Sequence, residues 1–336
     1  MIKHLRYKMK VALSSAYKQV QPLVMNFQGE IKARDPFYTR KVVFVMGATG
    51  TGKSRLAIDL ATRFPAEVIN SDKMQVYKGL NIVTNKVTEE ECQSVPHHLM
   101  SFVDPDSDFT ATDFQNHTSM ALQSIYSQGR IPIIAGGSNS FIDALVNDNP
   151  EFQLMYDCCF LWVDVSSPVL QSFVSERVDR MVRAGLVEEL RNMYDPEADN
   201  NRGIRRAIGV SEMDQYFRAE ATADDQTRTG LMEAGIAKIK ENTCTLAQRQ
   251  LQKIRRLNSL WNRSMHRIDA TEVFLKQGKP EAYEVWERLV AGPSTTIVGQ
   301  FLFDEQPMGF PVSPDTTIPS IISAPVPMAA VAAATH

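Results

Sequence analysis

Eight residues constrain this chain more than any others: Gly47, Ala48, Thr49, Gly50, Thr51, Gly52, Lys53 and Ser54. They fit the spacing G-x-x-x-x-G-K-[ST] of a phosphate-binding loop, which works only between the end of a strand and the start of a helix. Both flanks comply. Val42, Val43, Phe44, Val45 and Met46 form a β-branched and aromatic run that reads as a buried strand. Leu56, Ala57, Ile58, Leu60 and Ala61 follow as good helix material. Strand, loop and helix start together aim backbone N–H groups and the positive end of a helix dipole at one anion. Gly50 and Gly52 allow backbone angles that a Cβ would block. Lys53 adds a point charge, and Ser54 a hydroxyl suited to Mg²⁺. All eight residues are candidate contacts to a diphosphate or triphosphate.

Further strands make the fold class α/β: a P-loop NTPase-like parallel sheet flanked by helices, with a smaller helical domain. Residues 67–72 read as a strand whose polar residues Asn70, Ser71 and Asp72 fall at its C-terminal end. Ligand crevices of open parallel sheets lie outside those ends, so Asp72 is expected beside the loop, as a base or a metal anchor. Residues 131–135 run into Gly136, Gly137 and Ser138, and residues 160–165 form a fourth strand. Residues 37–167 are thus the P-loop core. From Pro168 the pattern turns helical, with Leu170, Val174, Val178 and Met181 at three- and four-residue spacing. Arg177 and Arg180 on that helix read equally as surface groups or phosphate contacts. A second helical pattern near 231–261 is dense in Lys, Arg and Gln, and 168–290 is read as a mainly helical, substrate-covering region that returns to the core.

The ends differ from this body. Residues 1–29 contain no acid but carry Lys3, Arg6, Lys8, Lys10 and Lys18. An acid-free, basic, mildly amphipathic start describes an organelle transit peptide, so 1–36 is read as a basic extension of that kind. A plastid is the first expected destination, with mitochondrion or cytoplasm as alternatives. Residues 291–336 carry no Lys or Arg and seven of the seventeen prolines, and are expected to be a disordered Pro/Ala-rich tail. Cys92, Cys158, Cys159 and Cys244 make no CxxC pair, so neither a zinc site nor a disulfide framework is indicated. No apolar run approaches the roughly 20 residues that span a bilayer.

The wording around Asp72 goes further. Residues 70–80 (Asn70 to Leu80, through Met74, Gln75 and Tyr77), then Thr84 and Lys86, His97 and His98, and Gly136, Gly137, Ser138, Asn139 and Ser140 closely resemble the isopentenyltransferase family over roughly residues 40 to 290. The resemblance is to its plant adenylate branch in particular. It implies a prenyltransferase that moves a dimethylallyl group from dimethylallyl diphosphate to N6 of the adenine of ATP or ADP, less so of AMP, as cytokinin synthesis begins. In that reading the loop holds the prenyl diphosphate, with Mg²⁺ as cofactor near Ser54. Thr49 matches the threonine near the bridging oxygen, and Asp72 the general base. Lys53 and Arg206 match groups on the leaving diphosphate, with Arg205 an equally basic neighbour one residue away. Ser71, Asp72, Thr84, Lys86, Gly136, Gly137 and Ser138 match positions near the nucleotide. The adjacent histidines are read as structural or substrate-positioning, since neighbouring residues rarely point the same way.

The alternatives are a tRNA dimethylallyltransferase and a P-loop small-molecule kinase. A net charge of −3 argues against a polyanionic acceptor, which favours a basic surface. The tail also lacks the cysteines of a zinc finger, and 167–231 is short for clasping a nucleic-acid stem. The expected partners are therefore the prenyl diphosphate and an adenine nucleotide, with no membrane, no nucleic acid, and the chain a monomer.

Overall fold

The structure, a computed structural model, describes residues 39–261 and 265–303. Six strands form one sheet there: β1 (Arg40–Gly47), β2 (Ala66–Asn70), β3 (His97–His98), β4 (Ile131–Ala135), β5 (Tyr156–Asp164) and β6 (His266–Asp269). Their order is β3-β2-β4-β1-β5-β6, and every pairing is parallel. The sequence of β1 explains its central place. Val42, Phe44 and Met46 join one apolar cluster, while Val43 and Val45 join the other. A strand apolar on both faces must be covered on both, which is the condition of an interior parallel strand.

The main helices are α1 (Lys53–Arg63), α2 (Ala111–Ser127), α3 (Asn139–Asn147), α4 (Ser167–Arg183), α5 (Leu186–Met193), α6 (Asp225–Leu260) and α7 (Gly292–Phe303). α2 and α3 cover one face with Phe114, Leu122, Phe141 and Leu145. α1, the start of α4 and α7 cover the other with Leu56, Leu60, Leu170, Val174 and Val298. α6 starts at Asp224, whose side chain accepts from Thr227 N–H at 2.8 Å, a normal N-cap. Its 36 residues make a rod about 54 Å long. The buried residues Gly235, Ile239, Thr243, Ala247, Leu251, Ile254 and Leu257 repeat every three or four positions, so one face stays against the protein from Gly235 onward. Because this stripe contributes to both apolar clusters, the helical region shares the core of the sheet.

Register brings the site together. Asn70 pairs with Ala135, Val45 with Ala135 as well, and Gly47 with Val163. The C-terminal ends of β1, β2 and β4 therefore open on one edge, and the chain leaves β1 to build strands on both sides of it. That is the switch point where such sheets bind ligands.

Two sequence expectations change. Asp72 lies in the turn beyond β2, not in the strand. Residues 292–303 form helix α7, where a disordered tail was expected to begin at 291. Val298 is buried, and Lys41 Nζ donates to the carbonyls of Phe301 (2.7 Å) and Leu302 (3.2 Å). The proline count misled because within this segment only Pro293 is proline, and it directly follows the π-helical turn Glu287–Ala291, where the regular helical hydrogen bonds are already displaced. The basic extension 1–36 and the tail beyond 303 lie outside the described residues.

Candidate active site

The loop from β1 into α1 has the backbone its glycines permit. Gly50 and Gly52 sit at φ +86° and +92°, a region costly for residues with a Cβ. The space is also taken: a Cβ at Gly50 would lie 2.7 Å from Val174, and one at Gly52 2.9 Å from the Trp286 ring. The loop faces a cavity of about 460 Å³, within the range of small-molecule sites. Thr49, Gly50, Gly52, Lys53 and Ser54 form one wall. Gly47, Ala48 and Thr51 form the underside instead, with Thr51 Oγ1 donating to Ala48 O at 2.9 Å.

Cations crowd this wall. Lys53 is buried and donates to Ala48 O at 2.7 Å. Burial lowers its pKa from 10.5 to about 8, with the Asp72 charge pulling the other way and Arg177 adding to the fall. Arg177 Nη2 donates to Thr49 Oγ1 at 2.9 Å. Its Nε is shut off from solvent and has no partner among the described residues. Burial, and then the Arg180 charge, bring that guanidinium down to about 10. Two buried cations side by side make this wall suited to an anion.

Arg206 reaches the same cavity from the turn Gly203–Arg206. Gly203 is at φ +53°, and a Cβ there would lie 1.8 Å from Pro105 O. The turn is pinned by Ile204 N–H on that same carbonyl at 2.8 Å. Arg206 then donates to Gly203 O and Tyr77 OH, both at 3.3 Å. Arg205 turns away, to Asp106 Oδ1 at 3.3 Å and Met193 O at 3.2 Å, so of the two it is Arg206 that lines the cavity.

Asp72 lines the same cavity, and its charge acts on both Lys53 and Arg177. Its N–H donates to Asn70 Oδ1 at 3.0 Å, and its Oδ1 accepts from Met74 N–H at 2.9 Å, which orients the carboxylate. Oδ2 lies over Gly137, where a Cβ would come within 2.9 Å of it. Gly136, Gly137 and Ser138 line the cavity beside it. Phe173, Met181, Ile208, Ile239 and Leu246 supply an apolar wall.

Other expected residues fall elsewhere. Lys86 does not line the cavity: its ammonium donates to Tyr77 O, Gly79 O and Asn81 Oδ1 at 2.6, 2.6 and 3.1 Å. With three donors used on the loop it stabilises, it has none for a nucleotide. Ser71 is buried, and Gly136 packs over its hydroxyl. Thr84 does line the cavity, but its hydroxyl donates to Leu80 O at 2.7 Å. His97 and His98 lie at the edge of the sheet, hydrogen-bonded to Val95 O and Glu67 Oε2 at 2.8 and 2.6 Å, as structural histidines would.

Sequence reasoning missed Gln250 and left Arg177 open. Both lie on apolar stripes, Arg177 between Val174 and Met181, Gln250 between Ala247 and Ile254. A polar side chain on such a stripe must find partners or a ligand, and that was the available signal.

A phosphate-binding loop, a carboxylate and an apolar patch lining one cavity define a P-loop transferase for a phosphorylated, partly apolar substrate. A family model described as IPP transferase matches residues 75–154 and 147–257. The chain is 60% identical over 299 residues to adenylate isopentenyltransferase 5, chloroplastic, of Arabidopsis thaliana, covering 88% of this chain and 90% of that one. Identity is 53% to adenylate isopentenyltransferase 7, mitochondrial, of the same plant, covering 87% and 90%. A solved eukaryotic dimethylallyltransferase acting on tRNA shares the fold, with a TM-score of 0.65 at 23% identity, over 79% of this chain and 80% of that one. The chain belongs to the isopentenyltransferase family, in its adenylate branch.

Proposed function

We propose that this chain transfers the dimethylallyl group of dimethylallyl diphosphate to N6 of the adenine of ATP or ADP and releases pyrophosphate, a step that opens cytokinin synthesis. The preference over AMP follows the plant branch it resembles. The observation that carries the reading is that Asp72, the cation-rich loop and an apolar patch line one cavity. Exocyclic N6 is a weak nucleophile, because its lone pair is delocalised into the ring. A carboxylate at hydrogen-bond reach of N6 can take its proton as the new C–N bond forms. Lys53, Arg206 and the loop amides take up the charge that develops on the diphosphate as the C–O bond breaks. Arg177 adds a third cation and holds the Thr49 hydroxyl. The apolar wall suits the prenyl chain and excludes water, which would otherwise compete for the allylic carbon.

Mg²⁺ fits this site. Ser54 is exposed on the cavity in the first turn of α1, and a hydroxyl oxygen suits a hard cation. No group of three or more His, Cys, Asp or Glu is arranged for a metal among the described residues, so the ion would draw its other ligands from the diphosphate and water. Bound there, Mg²⁺ would supply further positive charge to the leaving group.

Plastid import through residues 1–36 is part of the proposal. It is supported by the basic, acid-free composition and by relatives named chloroplastic, one other being named mitochondrial. The test of function is product identification by mass spectrometry with dimethylallyl diphosphate and ATP, ADP, AMP or unmodified tRNA offered separately. Prenylated ATP and ADP are expected; prenylated tRNA with untouched nucleotides would overturn the reading.

A further inference from the structure

The Gln250 carboxamide joins the two halves of the cavity. Its Oε1 accepts from Thr49 N–H at 2.7 Å, and its Nε2 donates to Gly137 O at 2.8 Å. Thr49 belongs to the loop after β1, and Gly137 to the turn after β4. The backbone of Gln250 is fixed as well, since Asn139 Nδ2 donates to its carbonyl at 3.3 Å. Thr49 is thereby held at both ends, its amide by Gln250 and its hydroxyl by Arg177 Nη2 at 2.9 Å. On the other side the carboxamide is a neighbour of Asp72. A Cβ built on Gly137 would lie 2.7 Å from Gln250 Nε2 and 2.9 Å from Asp72 Oδ2.

We infer that Gln250 is a positioning residue, holding the leaving-group side and the acceptor side of the cavity at a fixed separation; this rests on the transferase reading above and deepens it. The chemistry of the site selects a carboxamide. One end must accept from an amide N–H and the other must donate to a carbonyl, and a neutral amide does both. A carboxylate keeps the first bond, loses the second, and sets negative charge beside Gly137 O and Asp72. A methionine fills the space and makes neither bond. Gln250 acts through Thr49 and Gly137, so its loss changes the approach of the reacting atoms more than the affinity for either substrate. Reacting atoms must come within about 3–3.5 Å for bond formation, and a 1 Å misplacement can cost about a hundredfold in rate.

The test uses the full chain as wild type, Gln250→Met and Gln250→Glu, with dimethylallyl diphosphate and ATP. Gln250→Met is expected to lower kcat by about ten- to a hundredfold. Its Kd for dimethylallyl diphosphate, measured by calorimetry without ATP, should stay within about threefold of wild type, because uniform binding is left in place. Gln250→Glu carries a second readout: at pH 8 its carboxylate can still accept from Thr49 N–H but cannot donate to Gly137 O, so its kcat should also fall by about tenfold. An unimpaired Gln250→Met, or a loss lying wholly in donor Kd, overturns the inference. If Gln250→Met does not fold, a Gln250→Glu with wild-type kcat at pH 8 overturns it, and one with lowered kcat and near-wild-type Tm supports it. If wild type forms no prenylated ATP, the transferase reading falls and takes this inference with it.

Discussion

Replacing Lys53 by methionine should make the substrate-free protein more stable while destroying its affinity for the donor. The charged ammonium is buried, and its pKa is lowered from 10.5 to about 8, chiefly by loss of water. At 1.36 kcal/mol per tenfold change in proton affinity, the charged form costs the fold about 3 kcal/mol at neutral pH. Methionine keeps the aliphatic volume and removes the charge. It also gives up the bond to Ala48 O, but that carbonyl still accepts from Thr51 Oγ1 at 2.9 Å and Thr51 N–H at 3.3 Å. A net gain of about 1–3 kcal/mol is expected, or roughly 2–6 °C in Tm for a chain of this size. The pH dependence has a definite sign. Below pH 8 both folded and unfolded chains carry the proton, and the cost is present in full. Between about 8 and 10.5 the folded chain releases it while the unfolded chain keeps it, so wild type gains stability relative to the variant as pH rises. Thermal melts of both proteins from pH 7 to pH 10.5 read this directly, and calorimetry with dimethylallyl diphosphate reads the lost binding. A variant less stable than wild type, with a Tm difference that does not change across that window, would refute the reasoning.

Asp72→Asn should lower turnover by about 10²–10⁴-fold and leave donor Kd near wild type; steady-state kinetics with unchanged turnover would remove Asp72 as the base. Gly203→Ala should cost about tenfold or more in kcat/KM, because a Cβ 1.8 Å from Pro105 O must shift the turn that carries Arg206, and misplaced contacts are expensive. Arg205→Ala, beside it, should change kcat/KM less than threefold, a small effect of the kind expected for partly exposed ion pairs; the reverse ranking in the same assay would give the diphosphate contact to Arg205. Lys86→Met should lower Tm through the loop that Lys86 ties together and leave the KM for ATP unchanged; a raised KM with unchanged Tm would return Lys86 to the acceptor.

What could be read from sequence was what neighbours in the chain encode. The spacing of residues 47–54 specifies the loop because strand, turn and helix start are contiguous, and Asp72 was legible because polar residues closing a buried strand fall at the ligand edge. The choice between Arg205 and Arg206 was not local. It depends on Gly203 packing against Pro105, nearly a hundred residues earlier. Lys86 was placed near the nucleotide because it matches a family position, yet the turn it closes brings three oxygens onto its ammonium. Gln250 meets Thr49 across 201 positions, and only the register of α6 over the sheet creates that contact. Helix α7 was hidden by averaging its composition with the proline-rich residues that follow, while β6 (His266–Asp269) is an edge strand too short to show periodicity.

The central claim is that the loop grips the donor's pyrophosphate while the acceptor keeps its own phosphates. A single turnover with dimethylallyl diphosphate labelled at its terminal phosphorus and ATP labelled at its γ-phosphorus tests it. The account predicts pyrophosphate carrying only the donor's label and a prenylated nucleotide that retains the γ label. Release of the γ label as phosphate or pyrophosphate in step with product would contradict it.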